Sequence, residues 1–312
     1  MNHKEVSNQI DKDLRDIPSI SIIMNCYNGE KYLSEALDSV IAQTYRDWEL
    51  IFWDNQSTDG SAKILKSYGD PRFKYFYAPR HSTEIYEARN YALEQAKGEF
   101  IAFLDVDDWW KPEKLEKQLP LFEDTEVGIV CGNFWFVDER NNTEKNFLNW
   151  CVPTGRVLNE LLSNWFVGLL TLMVRRSAVD QLEYPCDPRF HVIGDFDLVI
   201  RLAVNWKLDF IPQPIAFYRW HGNNESIVRS SRELFELETW YFEMKKHPVI
   251  SLKSGFRVIL DRINYLKGMR LVSERNRLAA YPFWCSLQWG KLKAKLFVAM
   301  LLPLPVLKLL RQ

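Results

Sequence analysis

The chain has 312 residues, a formal net charge of −1, 47% hydrophobic residues and 26% charged residues. These proportions suit one large globular domain or two small ones, and they exclude disorder and collagen-like repeats. With only 13 glycines, and neither a G-x-G-x-x-G nor a G-x-x-x-x-G-K-[ST] string, a dinucleotide fingerprint or P-loop is not expected.

The near-neutral total hides an uneven distribution. Residues 241–312 hold 14 Lys and Arg against 3 Asp and Glu, whereas residues 1–240 hold 26 against 38. A basic tail on an acidic body points to an anionic partner for the tail, either a membrane surface or nucleic acid. The five cysteines (Cys26, Cys131, Cys151, Cys186 and Cys285) are widely spaced with no C-x-x-C, which fits a reducing cytosol. Residues 1–17 are a polar leader without an apolar core, so no secretory signal is expected. The sequons at Asn141 and Asn224 then carry no weight.

In chain order, Ile20 to Met24 is a short β-branched run that predicts a buried strand. Tyr32, Leu33, Ala36, Leu37, Val40 and Ile41 recur at helical spacing. Trp48 to Trp53 predicts a second strand, closed by the polar stretch Asp54 to Gly60. A short helix over Ser61 to Tyr68 leads to a third strand, Phe73 to Tyr77. Glu84 to Ala96 predicts another helix, and Phe100 to Leu104 a fourth strand that runs into Asp105-Val106-Asp107-Asp108.

Alternating strands and helices of this length describe βαβ units and a mostly parallel sheet covered on both faces. Ligands of such sheets lie beyond the carboxyl ends of the strands. Three polar clusters fall there: Cys26-Tyr27-Asn28, Asp54 to Asp59, and Asp105 to Asp108.

Beyond Pro112 the pattern loosens. Val127 to Cys131, Phe134 to Val137 and Leu169 to Val174 predict strands, Asp138 to Glu144 a turn, and Asp195 to Val204 a helix. From Arg232 the pattern is helical and basic. Leu296 to Leu307 is an uncharged run interrupted by Pro303 and Pro305. It is shorter than the ~20 residues of a membrane span. Flanked by Lys291, Lys293, Lys295, Lys308 and Arg311, it suits either a segment in the lipid interface or an apolar helix packed on the body. So apolar a run is an odd companion to phosphate contacts, and no nucleic-acid partner is expected.

Three carboxylates in four residues after a buried strand repel one another unless a cation intervenes, and oxygen ligands suit Mg²⁺ or Mn²⁺. Such a site holds its metal through one or two carboxylates plus substrate phosphates. An acidic turn capping the next helix is the plainer alternative. Trp109 and Trp110 beside the cluster would stack on an acceptor sugar or pack beneath the loop.

Six segments appear together in a fixed order. Pro18 to Gly29, Leu37 to Tyr45 with Trp48 to Ile51, Asp54 to Ser61, Ala88-Arg89-Asn90, Ala96 to Glu99 and Phe103 to Asp108 resemble family 2 glycosyltransferases, inverting enzymes with a GT-A fold. The resemblance is nearly continuous over residues 18–115 and patchy afterwards. It implies an α/β Rossmann-like sheet flanked by helices, with a C-terminal helical basic extension. Residue by residue, it implies that Asp54 accepts from the base of a nucleotide, usually uracil, that Tyr27 and Asn28 border it, and that Asp105 meets the ribose or sugar. It also implies that Asp107 binds Mg²⁺ or Mn²⁺ and that Arg89 reaches the diphosphate or donor sugar. A helical ion pair with a neighbouring Glu is the rival for Arg89.

Gly194 to Leu202 is similar to the family's E-D-x-[DE]-L-x-x-R-L segment, with Gly194 in place of the usual Glu. The resemblance makes Asp195 the general base, and Asp197 is set beside it as an acceptor contact. Capping of the helix by Asp195, with Asp197 favouring its dipole, is the alternative. Tyr218 to Ser226 resembles the R-x-H segment closing the catalytic domain, and His221 is expected near the metal or diphosphate, or else to be structural.

The expected organisation is a leader (1–17), a nucleotide-sugar-binding half (18–115), an acceptor and catalytic half (116–231) and a basic helical region (232–312). The expected partners are a nucleotide-sugar donor, a glycan or lipid-linked oligosaccharide acceptor, and the inner face of the cell membrane through 291–311. An inactive nucleotide- or glycan-binding module of the same fold is the competing expectation.

Overall fold

The structure is a computed structural model that describes residues 18–222, 224 and 230–302. The predicted leader, the end of the apolar run from Pro303, and Lys308 and Arg311 lie outside the described residues. The chain divides into two compact units, Met1–Val157 with Phe166–Asn224 and Leu158–Trp165 with Glu225–Gln312.

The first unit is built on a nine-stranded sheet. Its strands are β1 (Ile20–Cys26), β2 (Trp48–Asp54), β3 (Phe73–Tyr77), β4 (Phe100–Phe103), β5 (Trp109–Trp110), β6 (Val127–Asp138), β7 (Thr143–Asn146), β8 (Met173–Arg175) and β9 (Lys207–Trp220). They lie in the order β3-β2-β1-β4-β8-β6-β9-β5, with β7 paired to β6. Six of the nine (β1 to β4, β6 and β9) run in one direction. The expected mostly parallel α/β sheet is therefore present, with antiparallel strands confined to its second half.

The helices of this unit follow from sequence spacing. In α1 (Leu33–Ile41), Leu33, Ala36, Leu37 and Val40 are fully buried. They meet Ile20, Ile22, Met24 and Cys26, the alternate residues of β1, in one core. Burial of each such Leu or Ile is worth about 1.5–3 kcal/mol. Between β2 and β3 lies α2 (Ser61–Ser67), and between β3 and β4 lies α3 (Ile85–Gln95). The short α4 (Lys114–Gln118) follows β5.

Two expectations are corrected beyond Pro112, and one strand is added to them. The two strands predicted over Val127–Cys131 and Phe134–Val137 are one continuous β6, irregular at Gly132 and Asn133. There the Asn133 side chain leaves the strand pattern to bond Leu148, Nδ2 donating to its carbonyl (2.8 Å) and Oδ1 accepting its N–H (3.0 Å). The strand predicted over Leu169–Val174 begins as a 3₁₀ turn, Leu169–Thr171, where the Thr171 hydroxyl donates to the Gly168 carbonyl (2.8 Å). The long β9 carries Pro212 and Pro214, which obscure it in the sequence. Its register with β6 jumps from Gly132–Ile211 to Asn133–Pro214, so that Pro212 falls in the skipped stretch and Pro214 stands opposite Asn133 between two irregular steps.

The second unit contains α5 (Leu158–Ser163), then, after α6 (Arg176–Val179) and α7 (Gly194–Ala203) of the first unit, α8 (Ser230–Met244), α9 (Ser254–Ser273), α10 (Arg277–Ser286) and α11 (Lys291–Leu301). Val272, Ala280, Leu287, Leu296 and Ala299 form its own small core. Lys293 is drawn into that core and donates to the Leu287 carbonyl (2.9 Å), with its ammonium 4.9 Å from the Trp284 ring. Among the described residues, no helix is long and apolar enough to cross a membrane.

The junction from α3 to β4 is locked by polar contacts. The Lys97 and Gly98 N–H groups donate to Ser21 Oγ (3.0 and 2.8 Å), and that hydroxyl donates to the buried Glu49 (2.7 Å). A Cβ on Gly98 would lie 2.5 Å from the Ser21 nitrogen and 2.7 Å from the Ile20 carbonyl carbon. Backbone cannot step aside as a side-chain tip can. Gly98→Ala is therefore expected to destabilise the first unit by about 1–3 kcal/mol, seen as a lower urea midpoint in the intact chain. An unchanged midpoint would contradict this packing.

Candidate active site

Parallel pairing sets the site. β1 lies between β2 and β4, with Cys26 opposite Asp54 and the Leu104 N–H bonded to the Ile23 carbonyl (3.1 Å). The chain segments leaving these strands at their carboxyl ends therefore start side by side, Asp54 and Asp105 about two strand spacings, ~10 Å, apart.

At the β2 end, Asp54 is fully buried. One oxygen accepts the Ser57 N–H (2.7 Å) and the other the Tyr75 hydroxyl (2.8 Å). Burial and the Asp54 charge push the Tyr75 phenol far above its ordinary value. The expected contact of Asp54 with a base is thus not offered at the surface, because the side chain is buried, one oxygen holding the loop that follows and the other the Tyr75 hydroxyl of β3. Asn28, in the left-handed region at φ 54°, is tied to the same loop: its N–H donates to Ser57 Oγ (3.0 Å), and its Oδ1 accepts the Thr58 N–H (2.8 Å). Tyr27 is 54% exposed, and its ring lies 4.6 Å from that of His81. His81 Nδ1 is 2.9 Å from the Asn55 carbonyl, which fixes the edge of this aromatic shelf.

At the β4 end, Arg89 of α3 is almost wholly buried, and its Nη2 donates to Asp105 Oδ1 (2.7 Å). A neighbouring helical Glu is not its recorded partner. Asp105 remains about one third exposed. The Asp107 carboxylate meets His221 Nε2 at 3.0 Å. His221 in turn stacks on Tyr32, with ring centroids 5.1 Å apart.

Asp108, for which no separate role is expected from the sequence, is buried and accepts the Arg219 N–H (2.9 Å). Burial, reinforced by the Asp107 and Asp105 charges, pushes its carboxyl well up. Arg219 binds the Asp107 carbonyl (2.8 Å), Glu35 and Glu139, and its guanidinium lies 4.4 Å from the Trp109 ring. This residue holds the acidic turn against the start of α1. The partners of its guanidinium are 80 or more residues away, a distance no local motif spans.

The two tryptophans separate. Trp109 is half-buried, stacked on Phe217 at 4.9 Å and on Arg219. Trp110 is buried, its Nε1 donating to the Leu170 carbonyl (2.7 Å). The expectation that Trp110 stacks on an acceptor sugar is corrected, since its ring is part of the core. Asp197 is corrected for the same reason: it is buried and paired with Arg201 (2.7 Å), which also holds the Tyr184 and Pro185 carbonyls.

Asp195 stands in the first turn of α7. Its Oδ1 accepts the Phe196 N–H (2.8 Å), and its own N–H donates to the Tyr86 hydroxyl (2.8 Å). Burial pushes its carboxyl up to about 6, against the lowering pull of the Phe196 N–H and of Arg89, while Asp105 adds to the rise. Arg89 and Asp105 thus act on Asp195 as well as on each other, so α3, the β4 end and α7 share one electrostatic environment. A carboxyl titrating near neutrality at a strand-end site is matched to proton transfer.

Asp107 and His221 offer one carboxylate and one imidazole. Among the described residues, no three His, Cys, Asp or Glu side chains gather as a metal cage. Two protein donors suit a cation completed by substrate phosphates and waters, and this donor set fits a hard divalent ion of that kind.

Comparisons with known proteins show the family and the fold. Over 170 aligned residues, the chain is 34% identical to TuaG of Bacillus subtilis (strain 168), a glycosyltransferase named for teichuronic acid biosynthesis, covering 54% of this chain and 66% of TuaG. It is 33% identical over 166 residues to WfgD of Escherichia coli, named as a UDP-Glc:alpha-D-GlcNAc-diphosphoundecaprenol beta-1,3-glucosyltransferase, covering 53% of this chain and 64% of WfgD. The matched region spans a little under two thirds of these relatives. Residues 1–349 of Staphylococcus aureus TarS, solved with UDP-GlcNAc, share the fold with a TM-score of 0.65 at 18% identity, covering 90% of this chain and 81% of that one. Residues 21–182, more than half of the chain, match the family described as Glycosyl transferase family 2, and the chain belongs to that family.

Proposed function

We propose that the protein transfers a sugar, with inversion, from a UDP-sugar to a hydroxyl of a lipid-linked glycan in surface-polysaccharide assembly. One observation carries this reading: a carboxylate poised near neutrality, Asp195, shares its surroundings with the Arg89–Asp105 pair at the strand-end rim. The names of TuaG and WfgD, and the UDP-GlcNAc held by TarS, support the donor and acceptor classes.

In this reading the aromatic shelf of Tyr27 and His81 borders the base, while Asn28 holds the loop that frames it. Arg89 keeps Asp105 oriented toward the ribose or sugar. Asp107 and His221 would hold Mg²⁺ or Mn²⁺, whose chemistry when bound is to neutralise charge on the departing diphosphate. Asp195 takes the acceptor hydroxyl proton as that oxygen attacks the anomeric carbon. Trp109, through its stacked and partly open ring, borders the acceptor. The nucleotide-binding half remains 18–115 and the acceptor half 116–231.

The basic region 232–312 is assigned to an anionic membrane surface at the inner face of the membrane. In the second unit, Trp289 (89% exposed), Phe297, Val298 and Leu301 lie exposed, as do Lys291 and Lys295. Apolar side chains with flanking lysines, in a stretch with no Asp or Glu from Arg275 to Gln312, suit the lipid interface.

A panel of UDP-glucose, UDP-galactose, UDP-N-acetylglucosamine and GDP-mannose, with undecaprenyl-diphosphate-linked N-acetylglucosamine as acceptor, tests the reaction. A UDP-sugar is expected to be consumed with inversion at the anomeric carbon. Asp195→Asn is expected to lower kcat at least ~10²-fold, within the range for a lost general base, with UDP affinity kept. Because the base works deprotonated, turnover should fall as pH drops through about 6 and be level above it. Wild-type turnover in Asp195→Asn would remove the base assignment.

Calorimetry of UDP binding tests the cation. Mn²⁺ is expected to tighten UDP binding to the native protein, and Asp107→Ala should reduce it to the metal-free value. Equal tightening in both would contradict the role of Asp107. Flotation with vesicles containing phosphatidylglycerol tests the membrane assignment: the protein should rise with them, and Lys291→Glu with Lys295→Glu should keep it in the dense fraction. A wild-type protein that stays at the bottom would refute it.

A further inference from the structure

The residue that precedes Asp195 has no side chain, and the space a side chain would fill is occupied. A Cβ built on Gly194 lies 2.4 Å from both Cδ2 and Cε2 of Tyr86, inside any contact that real Cβ atoms show. Tyr86 comes from α3, more than 100 residues earlier, and is buried. Its hydroxyl oxygen accepts the Asp195 N–H at 2.8 Å. That N–H belongs to the first turn of α7 and has no partner within the helix. The Arg89 guanidinium lies 4.9 Å from the centre of the same ring. Tyr86 therefore touches both the base-bearing turn and the cation that orients Asp105.

We infer that Tyr86 is the positioning residue for Asp195, and that Gly194 is glycine because the Tyr86 ring must pass where a side chain would stand. The inference rests on the reading of Asp195 as the general base.

The backbone of Asp195 is pinned to α3 by the phenol, and one of its side-chain oxygens is pinned by the Phe196 N–H (2.8 Å). Two anchors leave the second oxygen little freedom, as a base needs when an acceptor hydroxyl must meet it at hydrogen-bond range. A displacement of about 1 Å costs on the order of 10²-fold in rate. The Tyr86 ring is itself buried beside this turn, and burial is what lifts the Asp195 titration to about 6. The charged or titratable groups around this turn include Arg89, Asp105 and Cys186, besides Tyr86 itself, and Asp197 of the same turn, which is paired with Arg201. Burial holds the Tyr86 phenol far above its ordinary range, so it stays a neutral acceptor through the working pH.

The test compares wild type, Tyr86→Phe, Gly194→Ala and Asp195→Asn with the donor and acceptor that the panel selects. Tyr86→Phe keeps the ring and removes only the acceptor for the Asp195 N–H. It is expected to lower kcat by about 10- to 100-fold, with the donor KM and UDP affinity within about twofold. Gly194→Ala displaces the ring and admits water, so its acid limb should move below 6 toward the ordinary carboxylate range. A carbon-13 titration of the Asp195 carboxyl in the intact protein reads the same shift without substrate. If Asp195→Asn abolishes turnover while Tyr86→Phe retains wild-type kcat and Gly194→Ala retains the wild-type titration, the positioning role is refuted and the base stands. If Asp195→Asn turns over normally, the base reading fails first, and this inference fails with it.

Discussion

A buried guanidinium governs the geometry of the rim. Arg89 has almost no access to water, and a cation in that position is tolerated only beside a compensating anion and a polarisable surface. Asp105 supplies the charge at 2.7 Å, and the Tyr86 ring the surface at 4.9 Å. Because Asp105 follows β4, Arg89 belongs to α3 and Tyr86 reaches α7, satisfying this one charge fixes three elements relative to one another. The same field draws the Asp195 titration downward while burial and Asp105 raise it, and the net value lies near 6.

A second cation does the equivalent work at the other side of the acidic turn. Arg219 binds the Asp107 carbonyl, Glu35 and Glu139, and its backbone N–H serves Asp108. One carboxylate of the turn is thereby sequestered in the interior and another, Asp107, is presented beside His221. The three acids of the D-V-D-D string thus have three different environments: Asp105 paired with a buried arginine, Asp107 set against an imidazole, Asp108 enclosed. Charge crowding that would be costly in an open loop is relieved by sending the groups to separate partners.

Legibility in the sequence varied along the chain for physical reasons. Strands β1, β2 and β4 are short apolar runs buried on both faces, the edge strand β3 is a half-buried aromatic run, and α1 carries an unbroken helical stripe, so local pattern suffices there. Beyond Pro112 local pattern misleads. Pro212 and Pro214 sit within β9 because the register slip skips the first and sets the second at an irregular step, and Asn133 disturbs the register of β6 without ending it. Leu158–Trp165 is grouped with residues more than 60 positions later, an association no reading along the chain proposes.

The residues of the site divide in the same manner. Sequence alone determined which residue types stand at the strand ends, since chain order puts these polar clusters directly after apolar strand runs. It singled out Tyr27, Asn28, Asp54, Arg89, Asp105, Asp107, Asp195 and His221 as candidates through a family resemblance that rests on short contiguous motifs. Tertiary structure alone decided how each is employed: Asp54 turned inward to Ser57 and Tyr75, Trp110 and Asp197 withdrawn into the core, Asp107 set against His221, and Tyr86 placed against Gly194. Exposure and partnership are properties of the packed whole. A local motif fixes what a side chain can do, and only neighbours brought from distant segments fix whether water, another charge or an empty space stands beside it.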